Sequence, residues 1–199
     1  MLGYTELLEF LATLNDSELE PLGGQESITS MMLEAARASC DFYIDTTPTD
    51  GIPYWDTGAP GLSEMPGHRD GPADPDNPHE PVDSSAAAIA CQGLLRLGQV
   101  LRPSEPDAAD GYTRAGLATL ATLLEAPYLS TDPAHQGLLL HAVYHRPNGW
   151  DHVPQGSNIP RGESCLWGDY HLREAAVYAG RLAAGRNLTF FSADNGDAA

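Results

Sequence analysis

The chain has 199 residues, 42% of them hydrophobic, and carries 28 acidic side chains against 10 basic ones for a formal charge of −18. That length suits one domain with a sizeable core and not two, so residues 1–199 read as a single domain. Cations this sparse argue against nucleic-acid binding, which needs basic stripes that replace counterions, and against attraction to an anionic membrane surface. An anionic ligand would require the few Arg and His residues to gather around it.

Cys40, Cys91 and Cys165 stand far apart and form no CxxC pair. That spacing points neither to a zinc site nor to a disulfide framework. The opening MLGYTELLEFLATLN lacks a basic n-region and holds glutamates inside its apolar stretch, unlike a signal peptide. No run approaches transmembrane length. The compartment stays open, with the cytoplasm the favoured reading. Sequons occur at Asn15-Asp16-Ser17 and Asn187-Leu188-Thr189.

Helical periodicity dominates the chain. Residues 4–20 form a first helix of less regular pattern. Between Ser27 and Tyr43, the residues Ile28, Met32, Ala36, Cys40 and Tyr43 trace one face of a second helix, which Pro48 and Gly51 stop. A proline-rich loop fills 47–82, and its part from 64 to 80 reads as a disordered insertion. Asp83 is a good N-cap for the next helix, which keeps Ala86, Ala90, Leu94, Leu97 and Leu101 on one face until Pro103. Another helix runs from about Pro106 to Glu125, and a last one from near Ser164 to about Ala184, with a long loop over 142–163 between them. No strand-like alternation is sustained. Helical hairpins joined by long aromatic-rich loops fit an all-α toroid with the loops at one rim.

Four segments carry candidate chemistry. In Tyr54-Trp55-Asp56, the indole of Trp55 could cover the apolar face of a pyranose while Asp56 takes its hydroxyls; equally, Trp55 could plug a helix junction and Asp56 cap a turn. Asp83 opens Asp83-Ser84-Ser85-Ala86-Ala87-Ala88-Ile89-Ala90 as a helix cap or as a site acid, with the helix dipole lowering its pKa. In His141-Ala142-Val143-Tyr144-His145-Arg146, the two histidines are four apart and would share one helical face. Ala142 stands where a metal-binding HExxH motif needs Glu, so no metal is expected. Arg146 offers the planar cationic fork that a sugar acid needs, or it pairs with a surface carboxylate. Finally, Ser164, Trp167 and Asp169 gather at the start of a helix, after Arg161, where free amides could receive a substrate carboxylate. Cys165 as a nucleophile would need an activated thiolate that nothing nearby guarantees.

In this order, PYWD, DSSAAAIA, LLLHAVYHRPN and GESCLWGDYHLREAAVY resemble the C-terminal part of glycoside hydrolase family 88, the unsaturated glucuronyl hydrolases, from about Leu33 to Leu182. The resemblance implies an all-α, six-hairpin (α/α)6 barrel, of which this chain would be about half. It implies removal of a terminal 4,5-unsaturated uronic acid from lyase-generated oligosaccharides. In that chemistry a carboxylic acid protonates the vinyl ether, water adds at C5, and the hemiketal opens. The family's aspartates are expected in an HDxGF-like segment and a later Asp-bearing helix, neither of which occurs in these residues. No catalytic residue is therefore assigned, and noncatalytic sugar binding or a scaffold role is the alternative. The substrate-binding candidates are Trp55, Asp56, Asp83, His145, Arg146, Ser164 and Trp167. No metal or cofactor is expected. The expected partner is an unsaturated uronic-acid oligosaccharide, and a half barrel would expose flanks suited to self-association.

Overall fold

The structure, a computed structural model, describes residues 1–186, so the Asn187 sequon lies outside the described residues. Six α-helices are found among them: α1 (Leu2–Leu11), α2 (Asp16–Leu19), α3 (Gln25–Thr46), α4 (Ser84–Leu101), α5 (Pro106–Leu123) and α6 (Leu166–Ala183). Short 3-10 turns cover Glu20–Leu22, Pro60–Glu64 and Arg146–Asn148. No strand forms among the described residues; Tyr54 pairs with Val82 and Leu129 with Leu139 only as isolated bridges.

α4 sits at the centre and packs against α1, α3, α5 and α6. Its sequence explains this placement. Ala87, Ala88, Cys91, Leu94, Leu95 and Leu97 point to different sides and are all buried, as expected for a helix apolar around its circumference. Small residues set the α4–α5 spacing. A Cβ on Gly116 would sit 2.9 Å from Leu95 Cγ and 3.2 Å from the Cys91 carbonyl oxygen. Two apolar clusters result. One joins α4, α5 and α6 to the rim residues Ile52, Tyr54, Val82, Tyr128 and Leu139. The other joins α1, α3, α4 and α5 through Leu8, Cys40, Leu97 and Tyr112.

Residues 4–20 do not form one helix. The Asn15 side chain accepts a hydrogen bond from the Glu18 amide at 3.2 Å, and the Glu18 carboxylate accepts from the Asn15 amide at 2.9 Å. This reciprocal capping box starts a new helix and breaks the old one. Residues 64–80, expected as a disordered insertion, run here as hydrogen-bonded turns. Asn77 Nδ2 donates to the carbonyls of Asp74 (2.6 Å) and Glu80 (2.8 Å), while its Oδ1 accepts from the amides of His79 and Glu80. Side chains that replace backbone partners in this way give a polar, helix-free segment a defined path.

Candidate functional site

The site grows from the N-terminus of α4. Asp83 has extended backbone and caps the helix. Its Oδ1 accepts from the Ser85 amide (3.0 Å), the Ser85 hydroxyl (2.6 Å), the Ala86 amide (3.3 Å) and, across the rim, the Val143 amide (3.2 Å). Ser84 reinforces that junction, its hydroxyl donating to the Leu140 carbonyl at 2.7 Å and its amide to the His141 carbonyl at 3.1 Å. On the other side the Asp83 amide donates to the Pro53 carbonyl, and the Trp55 amide to that of Pro81. One helix end thus clamps both rim loops.

Ser85 passes this order outward. Its hydroxyl, donated to Asp83, accepts from Trp167 Nε1 at 3.1 Å. The Trp167 indole stacks on Tyr144 with 5.1 Å between centroids and 30° between planes. Tyr144 meets Trp150 at 6.0 Å, and His145 meets Trp150 at 4.9 Å. The Asp151 carboxylate accepts from the Tyr144 and His145 amides and closes the turn that carries them. The outcome is a platform of large rings left in solvent, with Tyr144 52% and Trp150 63% exposed. Beside it lies a cavity of about 240 Å3 bounded by Tyr144, Trp150, Asp151, Arg161, Glu163 and Ser164. Stacked rings with a polar cleft at their edge suit a pyranose, which has an apolar face and a hydroxyl rim.

Ser164 is half-buried and lodged so closely against Gly137 that no Cβ fits there. It precedes the N-cap of α6, which is Cys165. His145 caps the short 3-10 turn, its Nδ1 accepting from the Asn148 amide. Arg146 follows it, half-buried, and its guanidinium makes no hydrogen bond or ion pair among the described residues. Trp55 is committed elsewhere: its Nε1 donates to Glu80 Oε2 at 2.8 Å, and Glu80, 4% exposed, also accepts from the Gly61 amide. Asp56 is exposed and caps a turn by accepting from the Gly58 amide at 2.7 Å. Asp169 is used internally, accepting from the amides of Leu138 and Leu139.

Two sequence expectations about the site need correction. The Asp83 carboxyl is shifted upward, not downward: desolvation raises it, and its hydrogen bonds to Ser85, Val143 and Ala86 only partly offset that. His141 and His145 do not share a helical face, because His141 has φ of 64° and is buried against Tyr128 at 5.8 Å. Burial pushes the Cys165 thiol up, away from a thiolate, in line with the expectation that nothing nearby activates it. Tyr144, Trp150, Ser85 and Asp151 were not singled out from sequence. The signal for two of them was present: Tyr144 and Trp150 flank His145-Arg146-Pro147-Asn148-Gly149, a turn that folds the flanking rings together. Among the described residues no group of three or more His, Cys, Asp or Glu side chains could hold a metal, and no helix is long and apolar enough to cross a membrane.

No family model matches the chain. Among curated proteins it is similar to the unsaturated glucuronyl hydrolase of Bacillus sp. (strain GL1), with 26% identity over 154 residues, 77% of this chain and 34% of that one. The unsaturated glucuronyl hydrolase of Formosa agariphila is 28% identical over 145 residues, 72% of this chain and 29% of that protein. Among solved structures, that of the unsaturated glucuronyl hydrolase responsible for the degradation of glycosaminoglycan from Bacillus sp. GL1 superposes with a TM-score of 0.55 at 28% identity, covering 77% of this chain and 33% of that one. The chain therefore spans about a third of the length of the curated relatives it matches, and its all-helical architecture corresponds to part of their six-hairpin toroid. Fold and sequence agree over some three quarters of its residues, where the chain is similar to the unsaturated glucuronyl hydrolases.

Proposed function

We propose that this chain supplies the sugar-binding rim of an unsaturated-uronyl hydrolase and holds an oligosaccharide ending in a 4,5-unsaturated uronic acid. The observation that carries the reading is the exposed Tyr144–Trp167 stack with Trp150 beside it. The rings take the apolar face of a sugar, Ser164 takes a hydroxyl, and the uncommitted Arg146 fork takes the uronate. His145 orders Trp150, and Asp83 acts through Ser85 as a positioning residue. Trp55 and Asp56 belong to the neighbouring rim loop and contribute at its edge. The chemistry implied is protonation of the vinyl ether by a carboxylic acid, addition of water at C5 and opening of the hemiketal.

A second reading, sugar binding without turnover, has its own observation. The rim carboxylates of Asp83, Asp151 and Asp169 are already occupied by backbone amides. A general acid needs a proton poised over the substrate, and groups spent on loop anchoring are poorly placed to give one.

Titration of the purified chain with an unsaturated uronyl disaccharide, read by tryptophan fluorescence, tests both. Saturable quenching that weakens about two- to tenfold in Trp167→Ala is expected, the worth of one aromatic contact. Loss of the vinyl-ether absorbance in the same cuvette marks the hydrolase reading, and binding with constant absorbance marks the second. No saturable binding sinks both.

A further inference from the structure

Away from the rim, α6 carries an outward stripe that the proposed site does not use. Leu166, Tyr170, Arg173, Val177 and Arg181 recur at steps of three and four and line one side of a groove of about 760 Å3, floored by Arg96. A step pattern of this kind places side chains in one row along a helix. The apolar members are conspicuously bare, Leu166 being 84% exposed. Arg173 and Arg181 make no hydrogen bond or ion pair among the described residues, in a chain with 28 acidic side chains and only 10 basic ones.

α3 presents the converse stripe. Met31, Glu34, Ala38, Phe42 and Asp45 lie in one exposed row, with Met31 and Phe42 more than half exposed. The side chains of Glu34 and Asp45 are likewise without a hydrogen-bond or ion-pair partner among the described residues. At 1.5 Å per residue each stripe runs roughly 21–23 Å. Two rows of similar length, each mixing apolar and charged side chains, one carrying two bare arginines against a single neighbouring Glu174 and the other bare carboxylates, are complementary in sign.

We propose that a second copy of this chain docks its α3 stripe onto the α6 stripe of the first. The contact is heterologous, since the two patches differ, and the pair keeps one free stripe of each kind, an α3 stripe on one copy and an α6 stripe on the other. Burial of Leu166, Tyr170 and Val177 against Met31 and Phe42 supplies the apolar contact, and the arginine–carboxylate pairs set orientation and exclude other pairings. This inference is independent of the sugar-binding reading.

Sedimentation equilibrium of the full chain from micromolar to hundreds of micromolar concentration tests it, and self-association of the wild type is expected. R173E/R181E and E34R/D45R should each self-associate at least about tenfold more weakly, because like charges then face one another. An equimolar mixture should regain association, because the altered α6 of one variant matches the altered α3 of the other. All four positions are on exposed or helix-surface sites, and unchanged thermal melts would show the fold intact. Tyr170→Ala, which removes a ring 52% exposed together with its hydrogen bond to Glu174, should also weaken association and probes the same contact should a charge swap unfold the chain. A wild type that stays monomeric, variants that associate as tightly as wild type, or a mixture no tighter than its parts would each overturn the proposal.

Discussion

Replacing Asp83 separates its role as an anchor from any role as an acid. Four hydrogen bonds to its side chain converge on one oxygen, Oδ1. Asp83→Ala removes that oxygen, which costs about 1 kcal/mol for the lost helix cap. Stranding the Val143 amide across the rim adds about 2 kcal/mol. The expected loss is about 3 kcal/mol, equivalent to a fall in Tm of roughly 6–12 °C for a domain of this size. Asp83→Asn keeps an acceptor at Oδ1 and removes a carboxyl whose ionisation burial opposes; it should stay within about 1 kcal/mol of wild type. Urea unfolding followed by far-UV circular dichroism measures both. If Asn were as damaging as Ala, charge and not acceptor geometry would hold the junction, and the anchoring role would be refuted.

Three further outcomes follow from the same contacts. Ser85→Ala removes the acceptor of Trp167 Nε1 but leaves three donors on Asp83, so disaccharide affinity should fall about three- to tenfold while stability drops by only about 1 kcal/mol; unchanged affinity would detach Ser85 from the platform. His141 and His171 are both lowered, chiefly by burial, so the folded chain favours their neutral forms. Their stabilisation is complete above the unfolded value and is lost as pH falls through the lowered folded values, giving a drop in Tm between about pH 7 and pH 5. Asp50 and Asp83, raised by burial, act in the opposite sense at lower pH; His141→Asn, which tolerates the positive φ, should flatten the slope above that range, and an unchanged slope would exclude His141. Arg96 and Glu9 pair at 2.5 Å with side chains 5% and 8% exposed, and Arg96 lies over the Tyr178 ring. Arg96→Met should destabilise by about 3–5 kcal/mol and Arg96→Met/Glu9→Leu by less, because a lone buried charge costs more than none; equal losses in urea unfolding would contradict that.

Where sequence reading succeeded and failed divides along one physical line. The central parts of α3, α4, α5 and α6 were legible because each has an apolar row at steps of three and four. The Asp83 cap was legible because capping is local chemistry. The break at Asn15 was also local, but the apolar runs on either side obscured the Asn-x-x-Glu signature. What stayed hidden depends on contacts between distant segments. Asp83 rises because rim loops desolvate it, Trp55 turns inward because Glu80 is buried beside it, and Trp167 gains its acceptor from Ser85 at the end of another helix. The platform itself was half legible: its turn is written in sequence, while the stacking of Tyr144 on Trp167 is not.

The use made of the rim carboxylates bears on how binding and proton transfer divide. Glu80 holds Trp55, Asp83 holds the α4 junction, Asp151 holds the Tyr144 turn and Asp169 holds Leu138 and Leu139. Of the two carboxylates lining the small cavity, Asp151 and Glu163, the Glu163 side chain alone is not spent on amides; it stands exposed, 3.7 Å from His135 Nε2. Glu163→Gln therefore discriminates the two functional readings in one variant. If the chain turns over its ligand by itself, this is the carboxyl at hand, and the substitution should abolish loss of the vinyl-ether absorbance while leaving affinity within about threefold. If the wild type binds without turnover, Glu163→Gln leaves both affinity and absorbance as they were, and the acid that protonates the sugar has to come from outside this rim. Turnover that persists in Glu163→Gln would refute the assignment of Glu163 and direct attention to the anchored aspartates instead.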